Sequence, residues 1–433
     1  MGLPKTHLTA ATAAGALLLF AGVAAAAEKV QLELTVQAGE HDRRDAPVRV
    51  DVQVPRELAD VQAAELTGPD GSKIAAQLTA PGLLNDAQTD GDGAAAREIH
   101  FVLPKLAAGQ EARFTAKIGG DSPASPSFTW HNSPGEYADL FFDGQPVLRY
   151  MYRALDESSP MTREQSYKVF HHLYSPDGSR LVTKGPGGLY THHRGLFYGF
   201  NRVTYGDGKR ADIWHCTGDT HQAHDKFLSS EAGPVLGRHR VAIDWHGVGK
   251  EIFAEEQREL AVYRLPGAHV VEFASRLRST GEPIRLDGDP QHAGFHFRAA
   301  NEVAERTKDE TYYVRIDGTG RKAETRNWSP DNRDTPVGRE STNRPWNAMN
   351  FVLGDTRYTA TYLDRPENPK EARSSERDYG RFGTYFEYDL PPDGQLDVRY
   401  RLWLTEGETT AEEAAFRYVD FVDPPAVQVR VVE

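Results

Sequence analysis

Histidine is the residue type that points most directly to chemistry in this sequence. The chain carries 16 histidines, and nine of them fall within residues 171–246. The stretch LYTHHRGLFYGFN, residues 189–201, places His192, His193 and Arg194 directly after a glycine-rich turn. A metal site, an acid/base pair and a hydrogen-bonded turn all fit this pattern. These residues therefore locate a site before they define a reaction.

General acid/base chemistry requires the fewest groups. One histidine with a pKa near 6.5, placed beside a carboxylate or a second histidine, moves protons at neutral pH. Side chains of adjacent residues diverge in an extended chain, so we expect His193 rather than His192 to be the general acid or base. We expect His296 or Glu387 to complete the proton transfer. Arg194 is expected to hold ligand oxygens or developing negative charge, with pairing to an aspartate as the alternative.

A metal site is the second hypothesis for the crowded histidines. It requires several neutral imidazoles or carboxylates that converge on one ion, and three converging ring nitrogens would favour it. The candidate donors are His171, His172, His192, His193, Asp212, His215, His221 and His224. No H-E-x-x-H spacing is present, and adjacent histidines in an extended chain rarely bind one ion. We therefore assign no metal ligand and expect no cofactor, and a bound metal remains an open alternative.

Two further stretches add polar side chains to the predicted site. ADIWHC, residues 211–216, is predicted as a short strand with Asp212 and Trp214 on one face and His215 on the other. Trp214 is interpreted either as a platform on which a sugar stacks or as a buried core residue. TGDTHQAHDK, residues 217–226, is predicted as a loop.

QHAGFHFRA, residues 291–299, is predicted as a strand with one polar face. His292, His296 and Arg298 share that face, opposite two phenylalanines. A solvated face more often carries Lys, Glu and Thr, so this pattern favours the wall of a cleft.

Residues 362–390 are predicted to form a long ordered loop over the sheet, and such loops often carry function. Their Arg and Tyr side chains either bind a polar ligand or fix the loop through salt bridges. The residues expected to bind substrate are His192, Arg194, Asp212, Trp214, His215, His292, Arg298, Arg377 and Tyr379.

The N-terminus predicts export. Lys5, an apolar stretch and four alanines that end at Ala27 are typical of a secretory signal peptide, residues 1–27, which indicates a secreted or periplasmic protein. A membrane anchor is the alternative, but spanning a bilayer takes roughly 20 apolar residues. No later segment is long and apolar enough to cross a membrane.

Composition restricts the classes of partner that we expect the protein to bind. A formal net charge of −13 argues against nucleic acid and anionic lipid. A neutral or cationic ligand is compatible with this surface. The single cysteine, Cys216, excludes an intramolecular disulfide and is expected to be an inert thiol.

Hydrophobic periodicity predicts an all-β protein in two parts. Residues 28–120 alternate like antiparallel strands, most clearly from Pro47 to Pro55, and predict a small β-sandwich. Residues 119–127 predict a linker rich in Gly, Ser and Pro. Residues 128–433 predict large antiparallel sheets that pack face to face, with one good helix after Thr410.

Four segments together resemble a known family. They are YKVFHHLYSPDGSRLVTKGPGGLYTHHRGLFYGFN, ADIWHC, LDRPENPKEARSSERDYGRFG and RYRLWL, and they are similar to the secreted bacterial PmoA-like proteins, a domain family of unknown function. The resemblance covers most of residues 145–425. Thr191 and Arg365 stand where that family usually has proline and histidine. The resemblance implies a β-rich domain similar to the galactose-mutarotase-like supersandwich, in organisms that degrade complex glycans.

Our leading functional expectation is a carbohydrate-active enzyme that cleaves glycosides or isomerises sugars by histidine acid/base chemistry. Its ligand would be a carbohydrate or another small polar molecule. The alternatives are a non-catalytic glycan-binding protein, with Trp214 and Trp346 as exposed coplanar aromatics, and a metal-dependent oxidoreductase.

Overall fold

A computed structural model describes residues 30–86, 89–119 and 126–432 of the chain. The predicted signal peptide and most of the predicted linker lie outside the described residues. About 53% of the chain is strand and about 11% is helix, which confirms the all-β class.

The strands follow one another along the chain as antiparallel partners. They are β1 (Val30–Gln37), β2 (Arg43–Pro55), β3 (Ala63–Thr67), β4 (Lys73–Thr79), β5 (Ala94–Leu106), β6 (Glu111–Ile118), β7 (Phe128–Ser133), β8 (Tyr137–Phe142), β9 (Gln145–Met151), β10 (Phe170–Leu173), β11 (Leu196–Phe200), β12 (Arg202–Tyr205), β13 (Lys209–Ala211), β14 (His221–Ala232), β15 (Leu236–His246), β16 (Ile252–Leu265), β17 (Ala268–Ser279), β18 (Ile284–Asp287), β19 (Ala293–Arg298), β20 (Tyr312–Arg315), β21 (Gly318–Thr319), β22 (Trp346–Leu353), β23 (Thr356–Asp364), β24 (Arg373–Arg377), β25 (Arg381–Tyr385), β26 (Tyr388–Leu390), β27 (Gln395–Glu406) and β28 (Ala426–Val432). The α-helices are α1 (Pro160–Ser166), α2 (Pro336–Glu340) and α3 (Ala411–Val422).

The N-terminal residues form one seven-stranded sheet around its own apolar core, in the order β2-β5-β4-β3-β6-β1-β28. The predicted alternation in β2 is confirmed. Val48, Val50, Val52 and Val54 are buried, because every second side chain of a strand points to the same face. Arg49 and the other intervening residues are exposed.

The last strand of the chain belongs to this first sheet. β28 pairs antiparallel with β1, with Leu34 opposite Val429. The predicted division placed residues 128–433 in the second domain, so the structure moves the C-terminal strand across that boundary. The free edge of β1 is thereby covered by β28, which follows it by some four hundred residues in the sequence.

The remaining strands form the large part of the molecule. An eight-stranded sheet runs β24-β25-β19-β11-β10-β9-β8-β7, a nine-stranded sheet runs β14-β15-β16-β17-β27-β23-β22-β20-β21, and a four-stranded sheet runs β13-β12-β18-β26. The main apolar core contains side chains from both large sheets, such as Phe295 of β19 and Phe273 of β17, whose rings stack 4.1 Å apart. This confirms the predicted face-to-face packing of large antiparallel sheets.

The helix predicted after Thr410 is α3. The Thr410 side chain accepts a hydrogen bond from the Glu413 amide at 3.1 Å, which caps the first turn. Asp420 accepts a bond from Arg43 of β2 at 2.9 Å, and this buried pair ties the helix to the first sheet. Among the described residues, no helix has the length and apolar character that crossing a membrane requires.

The outer face of the eight-stranded sheet carries the polar side chains of interest. In β19, Phe295 and Phe297 belong to the main core, whereas His296 contacts Trp214. Trp214 belongs to a separate small apolar cluster with Phe197 of β11. The predicted two-faced character of this strand is therefore confirmed, and its polar face looks away from the core.

Candidate functional site

Four histidines from three separate segments converge above this outer face. The ring of His192 lies 4.3 Å from that of His193, 4.4 Å from that of His215 and 5.5 Å from that of His292, measured between ring centroids. The rings of His215 and His292 are 4.6 Å apart. We call these four residues the histidine cluster.

The loop between β10 and β11 delivers the first two histidines. Gly187 and Gly188 have φ values of 81° and 63°, so the sharp turn predicted there uses a backbone conformation that glycine adopts without strain. Glu164 of α1 accepts a hydrogen bond from the Gly187 amide at 3.1 Å and another from the Thr191 hydroxyl. Asn301 accepts a bond from the Leu189 amide at 3.0 Å. These contacts fix the loop on both sides of its turn.

His215 is placed by a turn, not by the strand that the sequence predicted. β13 ends at Ala211, and the next residues turn because the Asp212 carboxylate accepts hydrogen bonds from the amides of Trp214 at 3.1 Å and His215 at 2.7 Å. The other Asp212 oxygen lies 2.8 Å from His215 Nδ1. The predicted opposition of Asp212 and His215 on two faces is therefore wrong, since the turn brings them together.

His292 is held in the same way by an aspartate that the sequence reasoning missed. The Asp289 carboxylate lies 2.9 Å from His292 Nδ1, and it also accepts bonds from the Gln291 amide and the Asn201 side chain, both at 2.8 Å. Asp212–His215 and Asp289–His292 share the spacing D-x-x-H. That repeated spacing is the signal by which both pairs could have been found.

The carboxylates select the tautomer of the two histidines. A carboxylate beside Nδ1 favours the proton on Nδ1, which leaves Nε2 of His215 and of His292 as an acceptor or ligand atom. The hydrogen bonds from His292, from the Gln291 amide and from Asn201 hold the pKa of the Asp289 carboxyl well below its ordinary value, against the opposing effect of burial. Asp212 and Asp289 thus each orient one imidazole ring.

His192 and His193 are neutral imidazoles at physiological pH. Burial, followed by the nearby His215 and Lys168, lowers the pKa of His192 to about 2. Burial and the Arg381 guanidinium hold the pKa of His193 well below 6.5. Within the described residues, both ring nitrogens of His193 and Nε2 of His192 are buried without a hydrogen-bond partner. Buried polar groups in proteins are almost always bonded, so these nitrogens, which lie together in the cluster, are open to a ligand.

The tryptophans are not exposed platforms. Trp214 is 1% exposed and packs beneath the cluster, with its ring 6.0 Å from His193 and 4.9 Å from His296. Trp346 is 4% exposed and lies in a different apolar cluster. The exposed aromatic beside the site is Tyr190, which is 47% exposed and lies 5.4 Å from His193.

The predicted role of His296 and Glu387 in proton transfer does not fit their bonds in the structure. Nε2 of His296 donates to the Ala293 carbonyl at 2.8 Å, and its Nδ1 accepts from Arg381 at 2.8 Å, so both nitrogens are occupied. Glu387 forms ion pairs with Arg285 and Arg373. These bonds lower the pKa of its carboxyl and favour a structural role.

The predicted arginines divide into two groups. Arg194 is buried, donates at 2.7 Å to the carbonyl of Thr191 and at 2.5 Å to that of Glu164, and lies over the Tyr167 ring. These bonds support the loop, and Nη1 of Arg194 has no partner among the described residues. Arg377 donates to Asn327 at 2.6 Å and likewise fixes its own segment.

Arg298 offers more unpartnered guanidinium nitrogens to a ligand than Arg194 does. It donates to the Tyr379 carbonyl, while its Nε and one Nη atom are buried without a partner among the described residues. Its guanidinium lies 4.9 Å from the centre of the Tyr379 ring, and that ring is nearly parallel to His193 at 6.1 Å. Tyr379 lies in the turn between β24 and β25. The prediction of one long loop over residues 362–390 is therefore wrong, because much of the segment pairs as strands, and the turn at Tyr379 contacts the cluster.

The other crowded histidines serve the scaffold. His171 bonds to His239 at 2.9 Å, and His172 bonds to the Thr183 hydroxyl at 3.1 Å. His221 and His224 lie in β14, so the predicted loop is a strand, and they contact His246 and Tyr150 respectively. Cys216 is buried, which raises the pKa of its thiol to about 11 and agrees with an inert role.

A cavity of about 570 Å³ adjoins the cluster. Asp212 lines it and binds His215, and Asn201 lines it and binds Asp289. The described residues that line it include no histidine, so the cluster borders this cavity through the Asp212 carboxylate and through Asn201, the partner of Asp289. Its other walls carry arginines, aspartates and threonines: Arg202, Thr204, Arg210, Thr217, Asp219, Thr220, Arg285 and Asp287.

Fold and site together define an all-β protein with large antiparallel sheets and a cluster of four histidines beside a cavity. The sequence matches the family of unknown function DUF6807 over residues 137–418, more than half of the chain, and the protein belongs to that family. This match does not test the resemblance to the PmoA-like proteins, which stays a prediction. No curated protein gives a significant match.

Two solved structures from Enterococcus faecalis are similar to the chain. One is an alpha-mannosidase from strain V583, with 9% identity and a TM-score of 0.41. The other is a protein in the glycosyl hydrolase family 38, with 8% identity and a TM-score of 0.43. The alignments cover 93% of this chain but only 46% and 47% of those chains, so this chain spans about half of their length.

Proposed function

We propose that the protein is a carbohydrate-active enzyme that uses the histidine cluster to transfer protons during glycoside cleavage or sugar isomerisation. The observation that carries this proposal is the convergence of four histidines, two of them oriented by carboxylates, at the edge of a polar cavity. Cavities of roughly 300–1,000 Å³ accommodate small ligands. Walls rich in arginine, aspartate and threonine suit a ligand that carries many hydroxyl groups.

His215 is the residue to which we assign proton transfer. Its side chain is 27% exposed, its Nδ1 is fixed by Asp212, and Asp212 lines the cavity. A carboxylate that orients an imidazole and stabilises its protonated form is a recurring arrangement in general base catalysis. This assignment replaces the predicted choice of His193, because a buried neutral imidazole with a lowered pKa is a poor proton donor at neutral pH.

The other groups bind and orient the ligand in this proposal. Neutral His192 and His193 present nitrogens without a partner among the described residues at the ligand site, Arg298 offers two such guanidinium nitrogens, and Tyr190 supplies an aromatic face for the apolar side of a sugar ring. We propose a secreted or periplasmic location for this activity, which the signal peptide predicted from residues 1–27 supports. Nucleic acid is not among the proposed partners, given the acidic composition.

The test is turnover of a panel of oligosaccharides and reducing sugars, followed by chromatography and by uptake of solvent deuterium. We expect His215→Ala to lower kcat by about 100-fold or more, the range typical of lost general acid/base catalysis. Asp212→Asn should lower kcat more than it changes KM, because its main effect is on the tautomer and orientation of His215, while asparagine keeps an oxygen that accepts the amide bonds of the turn. His193→Ala should raise KM.

His246→Ala is the matched control, because His246 stacks on His221 outside the cluster. It should retain full activity. Unchanged turnover in His215→Ala would refute the role of that residue. Saturable glycan binding without product from any sugar in the panel would instead identify a non-catalytic glycan-binding protein.

A further inference from the structure

We propose that His192, His193 and His292 bind one divalent transition-metal ion of the zinc type. Each offers one ring nitrogen, and the three nitrogens lie within 4.8 Å of one another. Atoms this close lie within about 2.8 Å of a common point, to be compared with metal–nitrogen distances of about 2.0–2.1 Å for zinc. Small side-chain rotations therefore bring all three into coordination distance.

The donor atoms are already in the state that a metal requires. A metal binds the neutral imidazole through an unprotonated nitrogen. The buried nitrogens of His193 and Nε2 of His192 have no partner among the described residues, and Asp289 occupies Nδ1 of His292 and leaves Nε2.

The surroundings of His292 match the second layer of a metal site. Histidines that bind metals almost always donate their other ring nitrogen to a carboxylate or carbonyl group, which fixes the ring orientation. Asp289 does this, and is itself held by Asn201 and the Gln291 amide. An aspartate that only balanced charge on the surface would not need three donors.

Charge at the site is compatible with a divalent cation. The nearby cations oppose it, chiefly Arg381 and Arg298, but Asp212 and Asp289 together supply two negative charges. Lys168 donates its ammonium protons to the carbonyl oxygens of His192 and Trp214.

Three imidazoles leave a zinc-type ion an open position for a ligand oxygen, as in catalytic sites. His215, whose ring lies 4.4 Å from His192 and 4.6 Å from His292, stands beside that position. This inference concerns the same site as the proposed function and depends on that function in no other way. The ion would polarise a sugar oxygen while His215 accepts or donates the proton.

The test measures metal content and affinity, with no substrate present. The mature chain, without a histidine tag, is purified, analysed for metals, stripped with a chelator and titrated with ZnCl₂ by calorimetry at pH 7. We expect one ion per chain and a rise in Tm on addition of Zn²⁺. The His192→Ala/His292→Ala double variant should lose at least 100-fold in affinity. Asp289→Asn should lose about 10–100-fold, as other second-layer changes do.

His246→Ala is again the control and should bind Zn²⁺ as the wild type does. Circular dichroism of the metal-free variants shows whether they are folded, so a folding defect is not mistaken for lost coordination. Failure to bind Zn²⁺, Cu²⁺, Ni²⁺ or Fe²⁺ with one-to-one stoichiometry overturns the proposal, and so does unchanged affinity in the folded double variant. Stoichiometric metal in a protein that turns over no sugar supports this inference and contradicts the proposed function. Sugar turnover by the metal-free protein supports the proposed function and contradicts the part of the ion in it, while metal content and affinity decide whether the ion binds.

Discussion

Acidification from pH 7 to pH 5 is expected to lower the free energy of unfolding by about 6 kcal/mol through three buried histidines alone, at roughly 2 kcal/mol each. Burial is the main cause in each case. It lowers the pKa of His172 and of His239 to about 3 and that of His269 to about 4, below the value of 6.5 expected in the unfolded chain.

The direction follows from proton binding. Below pH 6.5 the unfolded chain protonates these three histidines, whereas the folded protein leaves them neutral until the pH approaches 3 to 4. The unfolded state therefore binds more protons in this window, and stability falls as the pH falls through it. Above pH 6.5 both states are neutral, so these residues contribute no further pH dependence.

Urea unfolding followed by tryptophan fluorescence at pH 7, 6 and 5 measures this effect. His269 bonds the Ser175 carbonyl at 3.2 Å, and glutamine can replace that donor without titrating. His269→Gln should remove about a third of the pH dependence, and His41→Gln, at an exposed position, should remove none. A free energy of unfolding that does not change between pH 7 and pH 5 would contradict the neutral buried state of these histidines.

Glu376→Ala is expected to lower the free energy of unfolding by about 3–5 kcal/mol, because it leaves buried guanidinium groups without their counter-charge. Glu376 is fully buried in β24 and accepts bonds from Arg315 at 2.6 and 2.9 Å and from Arg344 at 2.6 Å. The side chain of Asn347 and the amide of Arg326 complete its shell at 3.0 and 2.7 Å.

Denaturant titration at pH 7 measures this loss. Glu376→Gln keeps the shape and one acceptor oxygen but removes the charge, so it should lie between the wild type and alanine. Glu367→Ala is the control, since Glu367 is 73% exposed and pairs with Arg365 at 3.6 Å, a contact worth at most about 1 kcal/mol. Equal destabilisation by Glu376→Ala and Glu367→Ala would show that the buried network does not stabilise the fold. Because β24 leads to Tyr379, we also expect Glu376→Ala to loosen the ring that packs on His193.

Local sequence patterns were sufficient to predict several secondary-structure elements of this fold. The valines of β2 alternate with polar residues, and the period of two dictates which face is buried whatever lies above it. The cap at Thr410 and the two faces of β19 are equally local, because neighbouring residues in the sequence decide them. The all-β class and the large antiparallel sheets could be predicted for this reason.

Periodicity was misleading where side chains capture the backbone. Residues 212–216 alternate like a strand, yet the Asp212 carboxylate accepts two amide bonds and forces a turn. The same competition places His292 beside Asp289. An alternation pattern does not include such bonds, whereas the D-x-x-H spacing that produces them is visible in the sequence once its geometry is known.

The sequence by itself determined that this is an all-β protein with an unusual number of histidines in one region, and it pointed to His192, His193, His215 and His292 one at a time. Only the tertiary structure decided that these four meet, because 23 residues separate His192 from His215 and 77 separate His215 from His292. The structure also shows that Trp214 and His296 are buried residues that support the site. The physical reason is that burial and bonding partners depend on which segments the sheet brings together, and those contacts are not encoded in the spacing of any one segment.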